Sequence, residues 1–105
     1  MRPVCSVQDM RDALVLVHVV DPSGEPMKDI AVTLVPRGGK AAPMRMETDA
    51  SGRAVFRLSA DATMRVTAGF VGFFTSVADR VEAKVGCVAA LTLAMQVEPA
   101  RNPVH

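Results

Sequence analysis

The stretch Leu14–Val20 (LVLVHVV), followed by Asp21–Pro26 (DPSGEP) and Ile30–Val35 (IAVTLV), decides the fold class of this chain. The first and third segments are rich in β-branched and other apolar residues, which is typical of β-strands. Between them, proline fixes φ and glycine tolerates a positive φ, so this segment indicates a turn. A second turn at Thr48–Arg53 (TDASGR) leads into another strand at Ala54–Leu58 (AVFRL). This succession of strands and turns predicts a small all-β protein.

The rest of the chain continues the same pattern, because short apolar or alternating segments recur between turn residues. No segment shows a sustained period of 3.6 residues. The predicted strands are 13–21, 30–35, 44–48, 53–58, 63–68, 74–81 and 88–97. Such spacing predicts a seven-stranded, two-sheet Greek-key sandwich in which antiparallel pairs dominate. The predicted organisation is an N-terminal arm at residues 1–12, the sandwich domain at 13–97 and a C-terminal tail at 98–105.

Composition excludes several classes of function. The chain has 105 residues, with 12 basic and 11 acidic side chains and a net charge of +1. This balance argues against a nucleic-acid partner, since nucleic-acid-binding domains carry a clear basic excess. The longest apolar run, Ala13–Val20, is interrupted by His18 and is too short to insert across a membrane. No signal peptide is visible, so the expected location is cytoplasmic as written, and exported if the sequence is truncated.

Cys5 and Cys87 are the only cysteines. A bond between them would close a long loop and stabilise the fold by several kcal/mol in the chain-entropy model. Reducing compartments keep such thiols free. Because no secretion signal is visible, we expect two free thiols, with a disulfide as the alternative.

Four short patterns combine turn and core positions. They are Val19-x-Asp21-x-x-Gly24-x-Pro26, Ala31-Val32-x-Leu34, Thr48-Asp49-x-x-Gly52-x-x-x-Phe56-x-Leu58 and Val66-x-Ala68-x-x-x-Gly72-Phe73. Together they resemble the carboxypeptidase regulatory-like domain, which has a transthyretin-like (prealbumin-like) fold. The resemblance spans about residues 13–97. It implies a non-catalytic interaction or assembly module, since members of the family are mostly accessory, adhesive or scaffold modules.

Two further elements resemble hydroxyisourate hydrolase, an enzyme of the same fold. They are His18-Val19-Val20-Asp21 and the Thr48–Arg53 turn, and the resemblance would make His18 and Arg53 catalytic. That enzyme family also uses a His-x-His element and a C-terminal Tyr-Arg-Gly-Ser tail. This chain has no tyrosine, and its only other histidine is His105. We therefore expect no enzymatic activity and no cofactor, with a divergent hydrolase using His18 and Arg53 as the alternative.

Acidic residues at the turns raise the possibility of a metal site. Asp21, Glu25 and Asp49 are the candidates, with Ser51 beside them. Their spacing fits no calcium-binding loop. Local hydrogen bonding of Asp21 and Asp49 to the turn backbone explains them better, so we expect no metal.

The segment Gly69–Phe74 holds three of the four phenylalanines. We assign Phe73 to the core. For Phe70 and Phe74 two interpretations remain: packing in the core, or exposure at an apolar tip that binds a partner.

The first strand predicts an interaction surface. Its two faces are both largely apolar, and the period of two allows only one of them to face the sandwich interior. The odd-numbered valines match the inward positions of the family pattern, and the first and last strands of such folds lie side by side. The predicted interface is therefore Leu14, Leu16, His18, Val20, Ala90, Thr92 and Ala94, covered by a protein partner or by a homo-oligomeric neighbour.

Overall fold

Alternation of apolar and polar side chains sorts the chain into strands that each bury one face. The computed structural model describes Cys5, residues 11–38 and residues 42–98. Most of the predicted arm (1–12) and of the predicted tail (98–105) lies outside the described residues. The strands are β1 Ala13–Val20, β2 Ala31–Pro36, β3 Met44–Glu47, β4 Arg53–Leu58, β5 Ala62–Gly69, β6 Phe73–Phe74, β7 Ser76–Ala83, β8 Val88–Ala94 and β9 Gln96–Val97.

Seven of these strands form the two layers of a sandwich. The first sheet has the order β4-β1-β8, and the second sheet has the order β3-β2-β5-β7. β1 and β8 run parallel, whereas the other paired strands run antiparallel. The core between the sheets is aliphatic, with Phe56 as its one fully buried aromatic ring among the described residues. The predicted all-β sandwich is confirmed, as is the adjacency of its first strand and its last long strand.

The predicted last strand, 88–97, is divided in the structure. β8 ends at Ala94, and the fully buried Met95 donates its amide to the Val20 carbonyl at 2.8 Å. The chain then leaves β1 and forms β9, which pairs with β6 in a small separate sheet. In a continuous strand Val97 would share the face of Leu91 and Leu93, but it is 57% exposed because it pairs with Phe73 outside the two main sheets.

Two turns of one pattern lie at the same end of the sandwich. Asp21 Oδ1 accepts hydrogen bonds from the Ser23 amide (2.8 Å), the Ser23 hydroxyl (2.7 Å) and the Glu25 amide (3.0 Å). Asp49 Oδ1 accepts the equivalent bonds from the Ser51 amide (2.9 Å), the Ser51 hydroxyl (2.7 Å) and the Arg53 amide (3.1 Å). The prediction that both aspartates stabilise turns is therefore confirmed.

The side chain of Thr48 holds the segment that precedes β2 in place through two hydrogen bonds. It is the buried polar side chain of the described residues, at 3% exposure. Its hydroxyl donates to the Met27 carbonyl at 2.6 Å and accepts from the Ile30 amide at 2.9 Å. These bonds satisfy two backbone groups that would otherwise be costly to bury.

The expectation of free thiols is wrong in this structure, because Cys5 forms a disulfide with Cys87. Backbone hydrogen bonds also hold the residues around Cys87 beside the start of β1. The Gly86 amide donates to the Asp12 carbonyl at 3.0 Å, and the Leu14 amide donates to the Cys87 carbonyl at 3.1 Å. Asp12, directly before β1, is thus held against the turn that precedes β8.

Within Cys5, 11–38 and 42–98, no helix has the length and hydrophobicity needed to cross a lipid bilayer.

Candidate interaction surface

The two faces of β1 differ sharply in burial. Val15, Val17 and Val19 are fully buried between the sheets. Leu14, Leu16 and His18 point to the opposite side, and each is partly exposed. The inward assignment of the odd-numbered set is therefore confirmed, and the even-numbered residues lie on the outer side of the first sheet.

Strand register extends this set into a continuous surface, which we call the outer face. Three rows cross the sheet from β4 through β1 to β8. They are Arg57–Leu14–Val88, Val55–Leu16–Ala90 and Arg53–His18–Thr92. Ala94 continues the β8 column, and Ala90, Thr92 and Ala94 are all exposed. On the β8 side Leu14 adjoins Val88 and Leu16 adjoins Ala90, so the centre of the outer face is aliphatic.

Val20 departs from the predicted interface. It is only 9% exposed, at the margin of the core. Pro26 pairs with it in an isolated β-bridge and covers it. The outer face therefore ends at His18 on β1, and Val20 contributes little to it.

Charge on the outer face is of one sign. Arg53 and Arg57 stand at either end of the β4 column, and no carboxylate lies within the three rows. Arg57 Nη1 forms an ion pair with Asp12 Oδ2 at 3.3 Å, at the rim of the face. Arg53 adjoins Asp49, whose Oδ1 already accepts the hydrogen bonds of its own turn. The apolar centre is thus bordered by cationic groups along one edge.

The outer side of the second sheet has a different character. Register places Arg45 and Glu47 of β3 beside Thr33 and Ala31 of β2, and Thr67 of β5 follows in the next column. Polar side chains of this kind are typical of a sheet face that meets water. This side also exposes Val35 and Val77, but they stand among charged and hydroxyl side chains, whereas Leu14, Leu16, Val55 and Ala90 adjoin one another on the outer face.

A small ionic cluster reinforces the polar character of the second sheet. Asp79 contacts Arg37 Nη1 at 3.2 Å and Arg65 Nη2 at 3.6 Å. Partial desolvation acts to raise the pKa of Asp79, but the Arg80 amide and the guanidinium groups of Arg65 and Arg37 outweigh it. The net effect lowers the pKa, so Asp79 is ionised and the cluster stays charged at neutral pH.

The hydrolase alternative requires His18 and Arg53 to converge in a concave pocket with a third polar group. They are cross-strand neighbours on the outer face, as that alternative needs. The best-formed clefts in the described parts of the chain lie elsewhere, and neither residue lines any of the four. The geometry therefore disfavours the hydrolase.

No metal site is evident among the residues that the structure describes. Within them, no three His, Cys, Asp or Glu side chains are grouped so that they could hold a metal ion.

The phenylalanine segment divides between core and surface. Phe73 is partly buried and packs against the core, as predicted. Phe70 is 50% exposed and Phe74 is 52% exposed, with Val71 between them at 91%. Phe70 and Phe73 contact each other with ring centroids 6.2 Å apart. The question left open by the sequence is answered in favour of an exposed tip.

Four residues of the outer face were not part of the predicted interface, namely Arg53, Val55, Arg57 and Val88. The period of two already places Val55 and Arg57 on the outward side of their own strand. What the sequence did not reveal is that β4 lies next to β1. The Asp49 turn repeats the Asp-x-Ser-Gly pattern of the Asp21 turn, but this repetition does not reveal which strands are neighbours.

Comparison with protein families identifies the kind of domain. The profile of the carboxypeptidase regulatory-like domain matches residues 15–96. Domains of this family are generally non-catalytic. The partial likeness to hydroxyisourate hydrolase finds no support. A comparison with curated proteins gives no match.

Solved structures share the sandwich fold. The Bacillus anthracis TIE protein superposes with a TM-score of 0.68 at 16% identity, over 83% of this chain and 17% of that one. The C-terminal fragment of the pilus adhesin SpaC from Lactobacillus rhamnosus GG gives 0.57 at 17% identity, over 89% and 47%. The 3-chlorocatechol 1,2-dioxygenase from Rhodococcus opacus 1CP gives 0.57 at 9% identity, over 87% and 62%. The chain thus spans less than two thirds of each protein, and identities this low show the fold alone.

Proposed function

This chain belongs to the carboxypeptidase regulatory-like domain family, and from that premise we propose that it is a non-catalytic protein-interaction module whose outer face docks a partner protein. The observation that carries the proposal is the apolar centre of that face. Leu14 and Leu16 are only partly buried, although the opposite side of the same strand is fully buried. Complete burial of a leucine contributes roughly 1.5–3 kcal/mol, so a partner that covers the face recovers the part still missing.

The charge of the outer face indicates the chemistry of the partner. Arg53 and Arg57 border the apolar centre, and His18 stands beside Arg53. A second copy packed with its β4 strand over this one would bring arginine against arginine. A flat aliphatic surface bordered by carboxylates would instead pair with Arg53 while covering the leucines, since Arg57 already pairs with Asp12. The partner therefore presents an aliphatic surface bordered by carboxylates.

The disulfide supports an oxidising location for this module. Structural disulfides persist in secreted and periplasmic proteins and are rare in reducing compartments. Cys5 and Cys87 form such a bond. Of the two locations that the sequence leaves open, the exported one fits the bond better.

Site-directed photocrosslinking in native cells tests the proposal. A photoreactive phenylalanine analogue replaces Leu16 on the outer face, and in a matched chain it replaces Thr33 on the outer side of the second sheet. Both positions are partly exposed and central in their sheets. The Leu16 position should give a discrete cross-linked product, and Arg53→Glu should diminish that product because it reverses the charge at the rim.

The cross-linked peptide of the partner, identified by mass spectrometry, should carry aspartate or glutamate beside aliphatic residues. Equal cross-linking from the Leu16 and Thr33 positions would contradict a docking role for the outer face. A product consisting of two copies of this chain would contradict the acidic partner and indicate self-association through that face.

A further inference from the structure

β8 is the outermost strand of the first sheet, with β1 on one side of it. Among the residues that the structure describes, no strand pairs with its other side. An edge strand exposes a row of backbone donors and acceptors that another strand can use. The direction of each backbone amide and carbonyl of β8 decides which of them another strand could bind.

The hydrogen bonds at the two ends of β8 fix the direction of all its backbone groups. The Leu14 amide donates to the Cys87 carbonyl at 3.1 Å, and the Met95 amide donates to the Val20 carbonyl at 2.8 Å. In a parallel ladder alternate residues bond to the neighbour, so the odd-numbered residues of β8 face β1. The amides and carbonyls that point to the open edge belong to Val88, Ala90, Thr92 and Ala94.

The other three edges of the sandwich carry features that discourage strand addition. β3 is only four residues long and presents Arg45 and Glu47. In β7, Asp79 and Arg80 together oppose Arg65, which makes a bulge, and Arg80 has a φ of 59°. These are recognised ways in which proteins block an edge.

β4 is the closest comparison, because it is the opposite edge of the same sheet. The Val19 amide donates to the Gly52 carbonyl at 2.7 Å, so odd-numbered residues of β1 face β4. Since Val17 lies opposite Ala54, the edge-pointing residues of β4 are Arg53, Val55 and Arg57. Two of these three are charged. β8, by contrast, has seven residues with no charge, no proline and no bulge.

We propose that β8 is a self-pairing edge, at which two copies of this chain join antiparallel through β8 and fuse their first sheets into one six-stranded sheet. A two-fold axis through Leu91 sets Val88 opposite Ala94 and Ala90 opposite Thr92 of the second copy. All four edge-pointing residues then exchange backbone hydrogen bonds. The side chains of these four residues are small and uncharged. The pairing therefore brings no bulky groups and no like charges of the two copies against each other.

This pairing uses the backbone edge of β8 and leaves the leucines of the outer face uncovered. It is therefore independent of the docking of a partner on that face. A second copy is the favoured occupant because Val88, Ala90, Thr92 and Ala94 are placed symmetrically about Leu91. An antiparallel β8 strand of that copy therefore offers a partner to every backbone amide and carbonyl at the open edge.

Sedimentation velocity of the purified chain tests the proposal, with proline substitutions as probes of the two edges. Ala90→Pro removes one edge-pointing amide and no bond to β1, and the exposed side chain leaves room for the ring. The wild-type chain should sediment at twice the monomer mass, and Ala90→Pro should sediment at the monomer mass at the same concentration. Val55→Pro is the matched control on β4 and should remain dimeric.

A second variant guards against a folding defect in Ala90→Pro. Thr92→Lys keeps every backbone group but places a positive charge of each copy near the two-fold axis. It should lower the dimeric fraction, and high salt should restore part of that fraction by screening the repulsion. Leu16→Glu should leave the dimer intact, which separates this proposal from docking on the outer face. A wild-type chain that stays monomeric at every concentration overturns the proposal, as does dissociation by Val55→Pro but not by Ala90→Pro.

Discussion

Gly52 lies where the Asp49 turn meets the segment that follows the Asp21 turn, and it has no room for a side chain. A Cβ atom at Gly52 would lie 2.7 Å from the Val19 carbonyl oxygen and 2.9 Å from Pro26 Cβ. Its φ of 77° is also in the region that favours glycine. Gly24, at the equivalent position of the other turn, has a φ of 92°, but a Cβ atom there would have no neighbour within 4 Å.

The two glycines therefore provide a matched pair of substitutions. Gly24→Ala should lower the free energy of unfolding by about 1–2 kcal/mol, since it adds only backbone strain. Gly52→Ala should cost more, by at least a further 1 kcal/mol or so, because the methyl group contacts backbone that cannot move aside. Urea unfolding measures both. Equal losses for the two variants would show that the contact with Val19 and Pro26 is easily relieved.

At the scale of an element, the Asp-x-Ser-Gly turns are held by ionised aspartates. Hydrogen bonds from the Ser51 hydroxyl and the Arg53 amide lower the pKa of Asp49 below its ordinary value of 3.8, and Ser23 and Glu25 do the same for Asp21. The folded state therefore binds a proton less readily than the unfolded state. The stabilisation is present above pH 3.8 and is lost as the pH falls through the lowered pKa of the folded turn.

Asp49→Asn tests this linkage, because asparagine keeps an acceptor oxygen but does not titrate. The free energy of unfolding should be higher for the wild type than for Asp49→Asn between pH 5 and 7. The two values should converge as the pH falls below 3.8. Glu47→Gln, an exposed carboxylate on β3, is the control for loss of a negative charge. A difference between wild type and Asp49→Asn that does not change with pH would contradict the role of ionisation.

At the scale of the whole molecule, the Cys5–Cys87 disulfide joins residues 82 positions apart and closes a loop that contains almost every strand. Restricting so long a segment of the unfolded chain stabilises the folded state by about 3–5 kcal/mol in the chain-entropy model. For a domain of this size that is a large share of the usual net stability. The N-terminal residues therefore contribute to the sandwich through a covalent bond.

Cys5→Ser should lower the free energy of unfolding by about 3–5 kcal/mol while leaving buried Cys87 in place. Urea unfolding measures the loss, and reduction of the wild type should reproduce it. Thiol titration of the unreduced wild type in denaturant should count none. A count of two in that titration would show that the bond does not form.

The sequence by itself determined which side chains of a long strand share a face. A period of two follows from local backbone geometry, so Val15, Val17 and Val19 share one face of the strand and Leu14, Leu16 and His18 share the other. The resemblance to the family indicated which of the two faces is inward, and the structure confirms it. Turn chemistry is equally local, since an aspartate bonds to residues two and four positions away. The existence of the strands and the sandwich class followed from these two signals, whereas the central residues of the outer face also required the resemblance to the family.

Only the tertiary structure decided which strands are neighbours, because strand pairing depends on contacts between residues far apart in the chain. The position of β4 beside β1 adds Val55, Arg53 and Arg57 to the outer face and gives it its charge. The approach of Cys5 to Cys87 and the departure of Val97 from the last strand are equally non-local. Period and turn residues carry no information about such contacts, since the same alternation is compatible with any neighbouring strand.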